Sequence, residues 1–211
     1  MERWATFDCY GTLIDWNGGI RHELARVFGE ERADEQLDRY HELEPELEAD
    51  GKLSYREVLT EALRRLGAPA GEEDALARSL PSWEPFPEVP EALRAARDRG
   101  WKLALLSNTD SDFIEASMER IGVPFDLAIV ASEIGSYKPA LGHWREFERR
   151  AGRLPDVHVA ASLLHDVAPA HELNVPCVWI NRLGEHATPE LTRELPDLAQ
   201  LPETLDELFG G

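Results

Sequence analysis

Three things are scarce in this chain, and each scarcity excludes something. Cysteine occurs only twice in 211 residues, at Cys9 and Cys177 in separate apolar segments. No disulfide framework is expected, and a reducing cytoplasm is the expected compartment. Basic residues are outnumbered, 22 Lys and Arg against 41 Asp and Glu, for a formal charge of −19. Nucleic-acid affinity rests on cations that displace counterions, so no nucleic-acid partner is expected. No apolar run reaches the roughly 18 residues needed to span a bilayer, so no membrane partner is expected either. The opening residues lack a basic region followed by an apolar stretch and a cleavage site, so secretion by that route is unsupported. A Gly-x-Ser-x-Gly turn is missing around Ser107, and no cluster of histidines at ligand spacing accompanies His165-Asp166. A serine hydrolase and a zinc site are therefore disfavoured.

What is present is an interrupted alternation. Trp4 to Phe7 reads as a strand, and residues 16–87 then read as helices (20–28, 33–48, 55–66 and 72–80) with no strand among them. A proline-rich piece, Pro81 to Pro87, returns the chain to alternating elements. Helices are expected over 89–99, 112–121, 141–151 and 168–173, and strands over 102–107, 127–131, 157–162 and 177–180. That order predicts an α/β fold with a doubly wound, Rossmann-like parallel sheet covered on both faces. The expected division is a core of residues 1–15 and 88–211 with a helical cap, residues 16–87, inserted after the first strand. Residues 198–209 read as an amphipathic closing element.

Several apolar runs end on polar residues. Asp8 follows the first run and precedes Gly11 and Thr12; Ser107-Asn108 close the second strand; Lys138 sits in Tyr137-Lys138-Pro139; Asp166 follows the 157–162 strand. A strand of an open α/β sheet delivers its last residue to the crevice where such sheets bind ligands. A buried carboxylate beside a cation can stay ionised and attack carbon or phosphorus, forming an ester that water cleaves. Asp8 is the expected nucleophile and Lys138 its counter-charge. Thr12 and Ser107 supply hydroxyls beside backbone N–H groups that can hold an anion. Plainer roles exist for each: Asp8, Thr12 and Ser107 as helix caps or turn formers, Lys138 as a surface lysine, Cys9 as packing.

The ordered set Asp8/Thr12, Ser107, Lys138, Asp166 resembles the four motifs of the haloacid dehalogenase superfamily, whose helical-cap members carry an insert after the first strand. Phosphatases of that superfamily usually place a second aspartate two residues after the nucleophile; here that place holds Tyr10. The opening Asp-x-Tyr-Gly-Thr resembles instead the branch that hydrolyses 2-haloacids, and Asn108 matches a residue that helps to hold the halide there. The resemblance implies catalytic roles for Asp8, Lys138 and Asp166, substrate-binding roles for Tyr10, Thr12, His41, Ser107 and Asn108, and no cofactor or metal. The chain departs from the branch where His41 stands near the expected cap arginine, with Arg56 as a substitute, and where Ala161, Leu163 and Trp144 replace polar residues. One alternative is a Mg²⁺-dependent phosphatase with Asp8, the Tyr10 carbonyl and Asp166 around the metal. Another is a non-catalytic member that binds a metabolite or a protein. The expected partner is a small-molecule substrate, with a homodimer left open.

Overall fold

Alternating side chains of β1 (Arg3–Phe7) set the two faces of the sheet. Ala5 and Phe7 join a large core with Leu103 and Leu105 of β2 (Trp101–Ser107), whereas Trp4 packs with Ala104, Leu106, Trp144 and Phe147 on the opposite face. Both faces are covered, which is why these strands read as nearly unbroken apolar runs. The computed structural model describes residues 2–49, 51–186 and 192–210. Its sheet has six strands, adding β3 (Leu127–Val130), β4 (Val157–Ala160), β5 (Cys177–Ile180) and β6 (Thr192–Leu195). Their order is β3-β2-β1-β4-β5-β6, with every neighbouring pair parallel. This is the doubly wound α/β sheet expected. Its order reverses between β1 and β4, so the crevice at their carboxyl ends is the place for a ligand.

Four α-helices lie within the described residues of 16–87, after β1: α1 (Trp16–Phe28), α2 (Ala33–Glu48), α3 (Tyr55–Leu66) and α4 (Ala75–Ser79). Helix α1 begins at Trp16, ahead of the expected residue 20, because Asp15 accepts from the Gly18 N–H as its cap. Two glycines in its first turn hide that start from a propensity reading. Gly19 is small for a packing reason: a Cβ there would lie 2.4 Å from the Trp83 ring. Ser54 and Glu57 form a reciprocal capping box that starts α3. Tyr40, Tyr55, Val58, Leu59 and Leu63 share one buried cluster with Phe7 and Leu105, so the helical segment and the sheet are packed as one core.

The rest alternates as expected, through α5 (Val89–Asp98), α6 (Ser111–Ile121), α7 (Ala131–Ile134), α8 (Gly142–Ala151), α9 (Ala168–Glu172) and α10 (Leu201–Phe209). Three differences have physical causes. Strand β4 ends at Ala160 rather than residue 162, because Ser162 caps a wide turn, Leu163–Val167, in which the Val167 N–H donates to the Ser162 carbonyl at 3.1 Å. Helix α4 starts at Ala75 rather than residue 72, residues 72–74 being a turn. Strand β6 escapes a pattern reading because its sequence, Thr-Arg-Glu-Leu, is short and charged and pairs only with β5 at the sheet edge. Among the described residues no helix is long and apolar enough to cross a membrane.

Candidate active site

Asp8 comes directly after β1, and Asp166 lies in the turn after β4, so two adjacent parallel strands bring both carboxylates to one sheet edge. Lys138 sits between them. Its Nζ donates to Asp8 Oδ1 at 2.8 Å, to Asp166 Oδ1 at 2.6 Å and to the Leu106 carbonyl at 2.9 Å, which uses all three of its protons. Thr12 Oγ1 donates to the other Asp8 oxygen at 2.8 Å and accepts from the Ala161 N–H at 2.9 Å. Both Asp8 oxygens are thus oriented from behind. The turn that allows this needs Gly11, whose φ of 84° is left-handed; space is not the reason, since an added Cβ would meet nothing within 4 Å.

Charge in this floor is arranged in opposition. Burial raises the Asp8 pKa above the ordinary carboxylate value, against the pull of the Lys138 ammonium. Burial would also raise Asp166, but Lys138 and a hydrogen bond from His158 outweigh it and hold Asp166 at about 2. Burial weakens the charge on Lys138, yet the two carboxylates outweigh that and raise its pKa, so it stays an ammonium. His158 is a functional residue that sequence reading missed. It is fully buried in β4, with Nε2 2.9 Å from Asp166 Oδ1 and Nδ1 2.9 Å from Thr6 Oγ1. A histidine inside a strand covered on both faces was the available signal. His143, also buried, donates from Nε2 to the Ser107 carbonyl at 3.0 Å, and burial pushes its pKa down to about 3.

Above this floor opens a cavity of about 670 Å³. Asp8, Ser107, Asn108, Lys138 and Asp166 line it from the sheet edge; Trp16, Asn17, His41, Glu44 and Glu48 line it from α1 and α2. Ser107 Oγ is buried without a hydrogen-bond partner among the described residues. Asn108 is fixed at both ends of Lys138: its Oδ1 accepts from the Lys138 N–H at 2.6 Å and its Nδ2 donates to the Lys138 carbonyl at 3.0 Å and to Glu48 Oε2 at 3.3 Å. The Tyr10 ring lines the cavity and stacks on Tyr55 at 6.1 Å, while its hydroxyl is 3.0 Å from Ser117 Oγ. Thr12 is fully buried behind the cavity and supports it through Asp8 and the Ala161 N–H. His41 stacks on Trp16 at 5.2 Å, sits 2.9 Å from Asn17 Oδ1, and has its pKa lowered by burial, so it is neutral near pH 7.

The structure does not bring every expected group here. Arg56 is not in the cavity wall; it lies in the first turn of α3, pairs with Asp112 and stacks over Phe113 at 4.3 Å. Trp144 is fully buried in the core and packs edge-on against His158 at 5.5 Å. Among the described residues the one arginine lining the cavity is Arg182, after β5, whose Nη2 donates to the Thr12 carbonyl at 2.8 Å and to Glu88 at 2.7 Å. Its position beyond an expected strand end was the signal for it. Nothing in the α2 pattern singled out Glu44 and Glu48, which read as ordinary helix acids. Asp8 and Asp166 fit a magnesium ion poorly: the Lys138 ammonium already occupies an oxygen of each, and among the described residues no three His, Cys, Asp or Glu side chains converge. Cys9 and Cys177 are buried free thiols whose pKa values burial raises, which leaves both inert.

Carboxylates bridged by a lysine at the switch point of a doubly wound sheet form a site suited to nucleophilic chemistry. The chain belongs to the haloacid dehalogenase-like hydrolases, whose family model matches residues 3–161. It is 28% identical over 190 residues to the (S)-2-haloacid dehalogenase of Pseudomonas sp. strain YL, covering 84% of this chain and 82% of that protein. It is 26% identical over 214 residues to (S)-2-haloacid dehalogenase 4A of Burkholderia cepacia, covering 94% and 93%. In fold it is similar to the L-2-haloacid dehalogenase of Xanthobacter autotrophicus, with a TM-score of 0.81 at 20% identity over 97% of this chain and 98% of that one.

Proposed function

We propose that this hydrolase cleaves the carbon–halogen bond of a 2-haloacid, with Asp8 as nucleophile, residues 1–15 and 88–211 as core and residues 16–87 as a helical cap. One observation carries the reading: Asp8 is buried with each oxygen oriented, on Lys138 and on Thr12, at the floor of a cavity. An Asp8 oxygen forms a bond to the carbon bearing the halogen, and the halide leaves with the bonding pair. Water then adds to the ester carbonyl of Asp8 and releases the 2-hydroxyacid. One water is consumed, and halide and a proton are produced. Asp166, held by its Lys138 and His158 partners, faces the same cavity and orients the attacking water by accepting a hydrogen bond from it, the proton passing on to solvent.

Tyr10 supports a halide over a phosphate ester. An alkoxide leaving group needs a proton, and the Tyr10 hydroxyl is turned to Ser117 with its pKa raised by burial. A halide needs none, and its displacement from carbon needs no Lewis acid, so the reaction is metal-free. The curated relatives are themselves (S)-2-haloacid dehalogenases, which supports the same substrate class. Buried free thiols and the acidic composition suit the cytoplasm. The test is turnover of a panel of 2-haloacids and phosphate esters with EDTA or with Mg²⁺. Halide release in EDTA is expected; phosphate release that requires Mg²⁺ would move the activity to phosphoryl transfer.

A further inference from the structure

Displacement at carbon is in line, so the leaving group departs on the side away from the attacking oxygen. Asp8 attacks from the sheet edge, and α2 presents Glu44 and Glu48 to the same cavity. An ionised carboxylate there would repel a departing halide. Glu48 is buried, and its Oε2 is 3.3 Å from Asn108 Nδ2, beside Ser107, whose buried Oγ has no partner among the described residues and lines the same cavity. Among the described residues the lysine and arginine lining the cavity are already engaged: each proton of Lys138 Nζ has an acceptor, and Arg182 donates to the Thr12 carbonyl and to Glu88. We propose that Glu48 is a further catalytic residue, a neutral carboxylic acid whose O–H donates a hydrogen bond to the leaving halide as the carbon–halogen bond breaks. Glu48 keeps its proton throughout; the electron pair leaves with the halide, and the bond to carbon is made by Asp8. The inference rests on the dehalogenation reading above.

The surroundings keep this acid protonated. Burial and the charge of Glu44 push Glu48 up to about 9, with Asp8 adding to the shift and Asn108 and Lys138 opposing it. Glu44, one turn earlier, accepts from the Tyr40 and Tyr55 hydroxyls at 2.9 Å each, and burial pushes it up to about 7. The other groups facing Glu48 are Tyr137, Tyr55 and Tyr40, whose pKa values burial raises, and Lys138, raised by its two carboxylates. None of those loses a proton in the range where Glu48 does.

Two measurements test this, one with turnover and one without. The first is the pH profile of kcat/KM on 2-bromopropionate for wild type, Glu48→Gln and Glu48→Ala. The second is bromide binding to each unliganded protein over the same pH range, read by fluorescence of the cavity-lining Trp16. In wild type, turnover and bromide affinity should both fall by about tenfold per pH unit above the Glu48 titration. Glu48→Gln, whose amide still donates, should keep turnover within about fivefold at pH 7 and lose that alkaline limb; Glu48→Ala should fall by about 30-fold. An unchanged alkaline limb in Glu48→Gln overturns the proposal while leaving dehalogenation standing. Wild type that binds bromide in step with the Glu48 proton but releases no halide from any haloacid overturns dehalogenation and leaves the anion site. Should Glu48→Ala fail to fold, Glu48→Gln and the bromide titration decide.

Discussion

The floor and the roof of the cavity solve the problem of buried charge in opposite ways. On the floor, Asp8 and Asp166 share one lysine, and every proton of its ammonium is placed on an oxygen. Charge there is paired, and on Asp8 the Lys138 ammonium opposes the burial that raises its pKa. Among the described residues the roof gives Glu44 and Glu48 no cation as a hydrogen-bond partner, only tyrosine hydroxyls and an asparagine amide, and both are raised toward the neutral acid. Charge there is given up. A carboxyl group can therefore serve as nucleophile or as hydrogen-bond donor in one cavity, according to whether a lysine ammonium is bonded directly to it.

Breaking the floor should have the largest effects. Asp8→Asn should abolish turnover while the fold persists, checked by circular dichroism and by mass spectrometry that excludes deamidation back to aspartate. Lys138→Ala should be nearly as damaging to turnover. It should also cost about 3–5 kcal/mol of stability in urea unfolding, because two buried carboxylates lose their partner. Removing one support is milder: His158→Ala should lower kcat roughly tenfold, the scale of one hydrogen bond of about 1.4 kcal/mol, through a less well held Asp166.

How much of this contrast was legible in the sequence follows from the same chemistry. The floor was legible because strands of a doubly wound sheet must end in the crevice, so Asp8, Ser107, Asn108 and Asp166 announce themselves as polar stops after apolar runs. Lys138 came from its place in an ordered set. The fold was legible for the same reason, except where glycines hid the first turn of α1 and charged residues hid β6. The roof was not legible. Glutamates at helical spacing on α2 are indistinguishable from solvated surface acids until the helix is seen to turn Glu48 inward. His158 was passed over because the strand reading absorbed it.

Sharpening the roof gives smaller effects. Because folding raises the Glu48 pKa from 4.5 to about 9, the native state holds a proton that the unfolded chain releases. Stability should therefore fall as pH rises between those values, and Glu48→Gln should remove that fall. The variant's advantage in urea unfolding should be near zero at about pH 4.5 and should grow steadily as pH rises toward about 9. At the substrate end, the neutral His41 cannot give a carboxylate the bidentate hold of an arginine. Turnover of 2-chloropropionate should be weak, with kcat/KM below about 10⁴ M⁻¹s⁻¹, better on a bulkier or less polar haloacid, and improved by His41→Arg. A wild-type value above that limit would point to Arg182 as the anchor.

The most direct test of the central claim follows oxygen through a single turnover. Enzyme in excess over a 2-haloacid is allowed one cycle in water enriched in ¹⁸O, and the peptide containing Asp8 and the released hydroxyacid are both weighed. If Asp8 attacks carbon and water attacks the resulting ester, the label enters Asp8 and the first product molecule carries ordinary oxygen. Label in the hydroxyacid with none in Asp8 would mean that water attacks the substrate directly, and the covalent account would be wrong.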